Sequence, residues 1–156
     1  AANLRDRALL RLLLDCGQRI SGTLQADIPG CMSATAIDLR RGLLHFTNKG
    51  GRAETAPFND ATAAAVEAWL PARAAIAAPG VHALFVGTRG LRLSRGSAHH
   101  IITTRGAAAG VRLHAHLFRH RRVVDVLETC GDKVAQQFAK HRSLATTSVY
   151  GAHADN

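Results

Sequence analysis

Few residues in this 156-residue chain can do covalent chemistry. It has one tyrosine, Tyr150, and among its 20 Lys+Arg residues only three are lysines, Lys49, Lys133 and Lys140. A reaction needing a phenol has one candidate, and a reaction needing a titratable ammonium has three. The last third of the chain reads His116-Leu117-Phe118-Arg119-His120, then Lys140-His141-Arg142-Ser143, then Thr146-Thr147-Ser148-Val149-Tyr150. His116 and Arg119 are three apart and share a face on a helix. His141 follows Arg119 by 22 positions, and Tyr150 follows His141 by nine. Guanidinium forks match phosphate oxygens. A phenol is a weak nucleophile until a cationic pocket lowers its pKa from about 10.

Charge points the same way. The formal net charge of +9 predicts a polyanionic partner, nucleic acid first. Five Phe, one Trp and one Tyr are too few for a base-stacking platform, so phosphate contacts on double-stranded DNA fit better. The length suits one domain, 1–156. A hydrophobic fraction of 47% argues against disorder. Apolar runs such as Ala74–Ala78 are too short to span a bilayer, and no signal pattern opens the chain, so no membrane partner and a cytoplasmic location are expected. Cys16, Cys31 and Cys130 form no CxxC pair and read as incidental thiols. His114, His116 and His120 lack a nearby carboxylate or cysteine, which argues against zinc.

The elements that must position these residues follow from periodicity and turn chemistry. Arg5–Cys16 reads as a helix, with Leu9, Leu12 and Leu13 at helical spacing and Gly17 beyond its end. Ile20–Asp27 reads as a second, short helix. Ile37–Leu39, Leu43–Thr47 and Arg52–Phe58 read as three antiparallel strands, with Asn48-Lys49-Gly50-Gly51 as a tight turn. An Ala-rich helix is expected over Ala61–Ala77, with Val66, Trp69 and Leu70 on one face. Leu84-Phe85-Val86 leads into the basic loop Gly87–Arg95. Ser97 reads as the N-cap of a helix to about Ala109, with Gly110 as its C-terminal stop. Helices over Leu117–Thr129 and Val134–Ala139, and a segment from Ser143 to Tyr150, complete a mainly α chain with a small three-stranded antiparallel sheet.

The spacing in the last third resembles the tyrosine recombinases, the phage integrase and Xer-type family, which carries H-x-x-R-H, a G-H-x-S segment and T-T-x-x-Y. Upstream, Arg5-Asp6-Arg7-Ala8-Leu9-Leu10 through Cys16-Gly17-Gln18-Arg19-Ile20-Ser21 is similar to that family's first box. Asn48-Lys49-Gly50-Gly51-Arg52 through Pro57 is similar to its β-hairpin, and Leu93-Ser94-Arg95 and Ala109-Gly110-Val111 to the stretch before its second box. The resemblance covers nearly the whole chain, in order. It implies the family's catalytic-domain fold and a site of Arg19, Lys49, His116, Arg119, His141 and Tyr150. It also implies a 3′-phosphotyrosine link to DNA and assembly as a tetramer.

The residue types suit that role. A phosphodiester needs a nucleophile, charge on two non-bridging oxygens and a proton for the leaving 5′-oxygen. Tyr150 would supply the first, Arg19 and Arg119 the second. Lys49 would supply the third, because lysine can release a proton and arginine cannot. His116 and His141 would donate hydrogen bonds or relay protons. The two arginines do what a divalent ion does in nucleases, so no metal or other cofactor is required. Arg52, Arg92 and Arg95 are expected to bind DNA.

Three positions depart from the family pattern. Gly22 stands where the first box has Glu or Asp, Lys140 where the third has Gly, and Cys31–Ala36 reads as an insertion. The family's N-terminal DNA-clamping domain is expected to be absent. Two other readings stay open: a DNA-binding module that keeps the fold without strand transfer, and a type IB topoisomerase.

Overall fold

Leu9, Leu12 and Leu13 fall on one face of a helix and bury completely, forming α1 (Ala2–Cys16). A computed structural model describes residues 2–130, and Cys130 in its backbone only. Gly17 ends α1: its φ of +59° is open to glycine at little cost, and its N–H donates to Leu13 O at 3.1 Å. The chain turns into α2 (Ile20–Leu24), then β1 (Leu43–Thr47), β2 (Ala53–Pro57), α3 (Asp60–Ile76), α4 (Arg95–Ala108) and α5 (Ala115–Cys130). The described residues are thus mainly helical with one antiparallel hairpin. None of their helices is long and apolar enough to cross a membrane. The expected helix at Val134–Ala139 and the segment at Ser143–Tyr150 lie outside the described residues.

The expected third strand is not there: among the described residues the sheet has two strands, β1 and β2, in register from Leu43↔Pro57 to Thr47↔Ala53. Residues 37–39 divide their hydrogen bonds instead. Ile37 N–H donates to Asp27 O, while Asp38 and Leu43 exchange one pair of bonds at 3.0 Å. The Asp38 carboxylate also accepts from Arg41 N–H at 2.9 Å, closing the turn locally. Partners on two sides leave no continuous ladder. The second helix is shorter than expected for a related reason: Asp27 pairs singly with Ala36 and Ala83 rather than continuing α2.

The helix after the basic loop also starts earlier than Ser97. Ser94 is its N-cap, and the Ser94 hydroxyl accepts from Ser97 N–H at 3.0 Å. Ser97 is therefore the third residue of the first turn. Gly110, at φ +73°, follows the C-cap Ala109 as expected. Helix α3 is capped by Asn59, whose side chain accepts from Thr62 N–H at 2.9 Å.

One core unites these elements: Leu9, Leu12, Leu13, Leu44, Phe46, Val66, Trp69, Leu84, Phe85 and Ile102 are all buried in it. Trp69 and Arg73 tie α3 to the segment 81–86. Trp69 Nε1 donates to Leu84 O at 2.9 Å and Arg73 Nε to Ala83 O at 2.8 Å. Burial lowers the Arg73 pKa from its ordinary value, with Asp27 opposing. Asp6, also buried, is shared between Arg5 at 3.0 Å and Arg105 at 2.7 Å, which fastens α1 to α4.

The Cys31–Ala36 stretch folds against Asp27. That carboxylate accepts from Ser33 Oγ at 2.5 Å, Thr35 Oγ1 at 2.8 Å and Arg92 Nη2 at 2.5 Å. Burial alone would raise the Asp27 pKa; hydrogen bonds from Ser33, Arg92 and Thr35, with the Arg92 charge, overcome it and hold the carboxyl below its ordinary value. A pKa depressed in the folded state adds stability above the unfolded value of about 3.9, and that stability is lost as pH falls through the folded value. Urea unfolding should therefore show Asp27→Asn about 1–3 kcal/mol less stable than the parent at neutral pH. The gap should narrow below about pH 4. A gap independent of pH would refute the linkage.

The hairpin docks on α2 through Phe46. A Cβ on Gly22 would lie 3.6 Å from Phe46 Cδ2 and 3.9 Å from Gln18 Cβ, ordinary contact distances. Gly22 sits inside a helix, where glycine costs about 0.5–1 kcal/mol relative to alanine. Gly22→Ala should raise the urea midpoint by an equivalent amount, and a lowered midpoint would show that the Phe46 contact is too tight.

Candidate active site

Arg119 is buried, with 7% of its surface exposed, and its Nη1 donates to Gly17 O at 2.9 Å. The left-handed turn at Gly17 points that carbonyl at α5. Arg19, two residues on, is the exposed residue at the start of α2, with Ile20 buried beside it. One arginine is thus held and the other presented. Both line a cavity of about 100 Å³ with Ser21, Arg95, His99 and His116.

A second cavity, of about 420 Å³, shares Arg19 with the first. It is lined by Gln18, Arg19, Ser21, Gly22, Gln25, Phe46, Thr47, Asn48 and Lys49. Lys49 is the second residue of the hairpin loop. Asn48 builds that loop: its Oδ1 accepts from Gly50 N–H at 2.9 Å and Arg52 N–H at 3.0 Å, and its Nδ2 donates to Glu54 Oε1 at 2.5 Å. Gly51, at φ +75°, completes the turn. Arg19 and Ser21 belong to both cavities, so the two form one groove from Lys49 to His116 and Arg119. Among the described residues no aspartate or glutamate lines either.

Four expected site residues therefore come together: Arg19, Lys49, His116 and Arg119. His141 and Tyr150 lie outside the described residues. Of the expected DNA contacts, Arg95 is exposed and lines the smaller cavity, and Arg52 is exposed in the hairpin loop. Arg92 is exposed as well, but its guanidinium is partnered within the chain. Its Nη1 donates to Leu24 O at 2.8 Å and Ala26 O at 3.3 Å, and its Nη2 pairs with Asp27. Gly22, the departure from the family pattern, lines the larger cavity beside Arg19.

Two further residues line the site. His99 belongs to no motif in the sequence, yet it lines the smaller cavity one helical turn from Arg95. The available signal was that i,i+4 spacing. Gln25 lines the larger cavity and carried no sequence signal, because its partners are backbone atoms of β1. Cys16 is inert by contrast. Burial, then Asp15, pushes its thiol pKa up to about 12 against an opposing pull from Arg122. Among the described residues no three of His, Cys, Asp and Glu gather as a metal site.

Comparison with known proteins bears on the whole chain. The model of the phage integrase family matches residues 1–156. Tyrosine recombinase XerC of Pseudomonas aeruginosa (strain LESB58) is 37% identical over 152 residues, covering 94% of this chain and 46% of the relative. XerC of Ralstonia pickettii (strain 12J) is 33% identical over 163 residues, covering 96% and 50%. The chain thus spans about half the length of these relatives. In fold it is similar to XerA recombinase, with a TM-score of 0.80 at 24% identity over 96% of this chain and 53% of the other. It is also similar to XerH site-specific recombinase in a post-cleavage complex with palindromic difH substrate. That TM-score is 0.77 at 19% identity, over 97% and 43%. The match to the family model from end to end, and identity above a third to XerC, establish that the chain belongs to the phage integrase family, the tyrosine recombinases.

Proposed function

We propose that this chain is the catalytic domain of a site-specific DNA recombinase or integrase, cutting and rejoining double-stranded DNA through Tyr150. The observation that supports it best is the groove lined by Arg19, Lys49, His116 and Arg119, which no carboxylate among the described residues lines. A groove of one sign with low-dielectric walls concentrates an anion, and its fixed donors need no reorganisation as charge develops.

In the proposed reaction the Tyr150 oxygen attacks phosphorus and forms a phosphotyrosine bond at the 3′ side. The bond to the 5′-oxygen breaks, and that oxygen takes a proton from the Lys49 ammonium. Arg19 and Arg119 balance charge on the non-bridging oxygens, while His116 and His141 donate to them or accept the phenolic proton. Attack by a 5′-hydroxyl then reverses the step on the new partner strand. Arg52 and Arg95 meet flanking backbone phosphates. Arg92 contributes by holding the basic loop against α2. Several copies assemble on DNA, a tetramer by the family resemblance.

A nicked suicide duplex tests the reading, because loss of the short cleaved strand traps the covalent intermediate. The parent protein should form a protease-sensitive DNA adduct, and Tyr150→Phe should abolish it. An adduct that persists in that variant would remove Tyr150 as the nucleophile. Binding without any adduct would favour the non-catalytic module, and relaxation of supercoiled plasmid without sequence preference would favour a topoisomerase. Lys49→Arg should keep DNA affinity while slowing cleavage by about 10²–10⁴-fold, the usual contribution of a positioned acid. An unchanged cleavage rate would dismiss Lys49 from that role.

A further inference from the structure

Lys49 is the second residue of a five-residue loop, Asn48–Arg52, where a solvated lysine would ordinarily sample many positions. The structure restrains the base of that loop from outside the hairpin. Thr47, the last residue of β1, pairs with Ala53 of β2 on one side. On its other side its N–H donates to Gln25 Oε1 at 2.9 Å, and its carbonyl accepts from Gln25 Nε2 at 3.3 Å. In an antiparallel strand the N–H and C=O of one residue point the same way. A carboxamide carries one acceptor and one donor side by side, so it can satisfy both. Gln25 therefore acts as a one-residue strand on the free edge of β1.

Gln25 is also the C-cap of α2, and Arg19 is the N-cap of the same helix. One short rigid element thus holds the phosphate-facing arginine at one end and the hairpin at the other. Gln25, Thr47, Lys49 and Arg19 line the same cavity. We infer that Gln25 is a positioning residue, setting the Lys49 tip at a fixed distance from Arg19 so that the ammonium meets the leaving oxygen. The inference rests on the proposal that Lys49 is the general acid. Misplacing such a group by about 1 Å can cost on the order of 10²-fold in rate.

The test separates proton delivery from simple damage. DNA in which the scissile 5′-oxygen is replaced by sulfur leaves as a thiolate, with a thiol pKa of about 8.5. It needs no proton from Lys49, whereas an alkoxide, near the pKa of about 15.7 for water, does. Gln25→Ala and Gln25→Asn, the latter an amide one methylene short of Thr47, should cleave the ordinary nicked duplex about 10–100-fold more slowly. On the sulfur-substituted duplex both should return to within about threefold of the parent, as Lys49→Ala should. An equal defect on both substrates, or none on either, would overturn the role of Gln25. If Lys49→Ala is not restored by sulfur, the acid assignment fails instead, and the two failures are distinct. Independently of cleavage, hydrogen exchange at Thr47 N–H should quicken in Gln25→Ala, and unchanged protection there would sink the proposal.

Discussion

The bond from Arg119 to the Gly17 carbonyl is the contact on which the described site depends. It joins the turn after the first helix to the fifth helix across 102 positions of sequence. A buried guanidinium must have its donors satisfied, because a charge left unpaired in the interior is costly. Gly17 meets that need only by adopting a left-handed turn that would strain other residues. The same turn releases the chain so that Arg19 points outward while Ile20 buries. Moving either partner would separate the two arginines that share the smaller cavity.

Several other arginines are held within the fold, Arg73 by backbone carbonyls and others by aspartates. Asp6 takes Arg5 and Arg105, and Asp27 takes Arg92. These pairs fasten helices and loops together, and among the described residues no acidic group faces the groove. The large positive charge is therefore not spread evenly in effect. The arginines paired with Asp6 and Asp27 hold the fold, while Arg19, Arg95 and Lys49 face cavities that no aspartate or glutamate among the described residues lines. Asp6, in the stretch that resembles the family's first box, belongs to the first group: it is architecture rather than chemistry.

Much of the architecture was legible before the fold. The heptad-like leucines of α1, the Asn48–Gly51 turn and Gly110 all act locally, and each formed where its own chemistry dictates. The departures share one cause. The apolar residues of 37–39 suit a strand, but which neighbours that backbone meets is set by Asp27 and Leu43. Ser94 and Ser97 were both competent caps by type, and only the entry angle of the chain selects the first. Gln25 has no signal in the sequence because its significance lies in what approaches it from another element, and the i,i+4 spacing of His99 from Arg95 does not by itself say that a cavity opens there.

By itself, then, the sequence determined the chemistry on offer. One phenol, three lysines, the spacing of His116 to Arg119 and the order of the motifs bounded the reaction before any coordinate, because residue type and local spacing are properties of the chain. The tertiary structure decided which charges remain available. It buried Arg119 yet left it lining the cavity, engaged Arg92 with Asp27, and set Lys49 and Arg19 along one groove beside a glutamine bonded to the backbone of Thr47. Such outcomes turn on distances between residues far apart in sequence, and those distances are fixed only when the core closes.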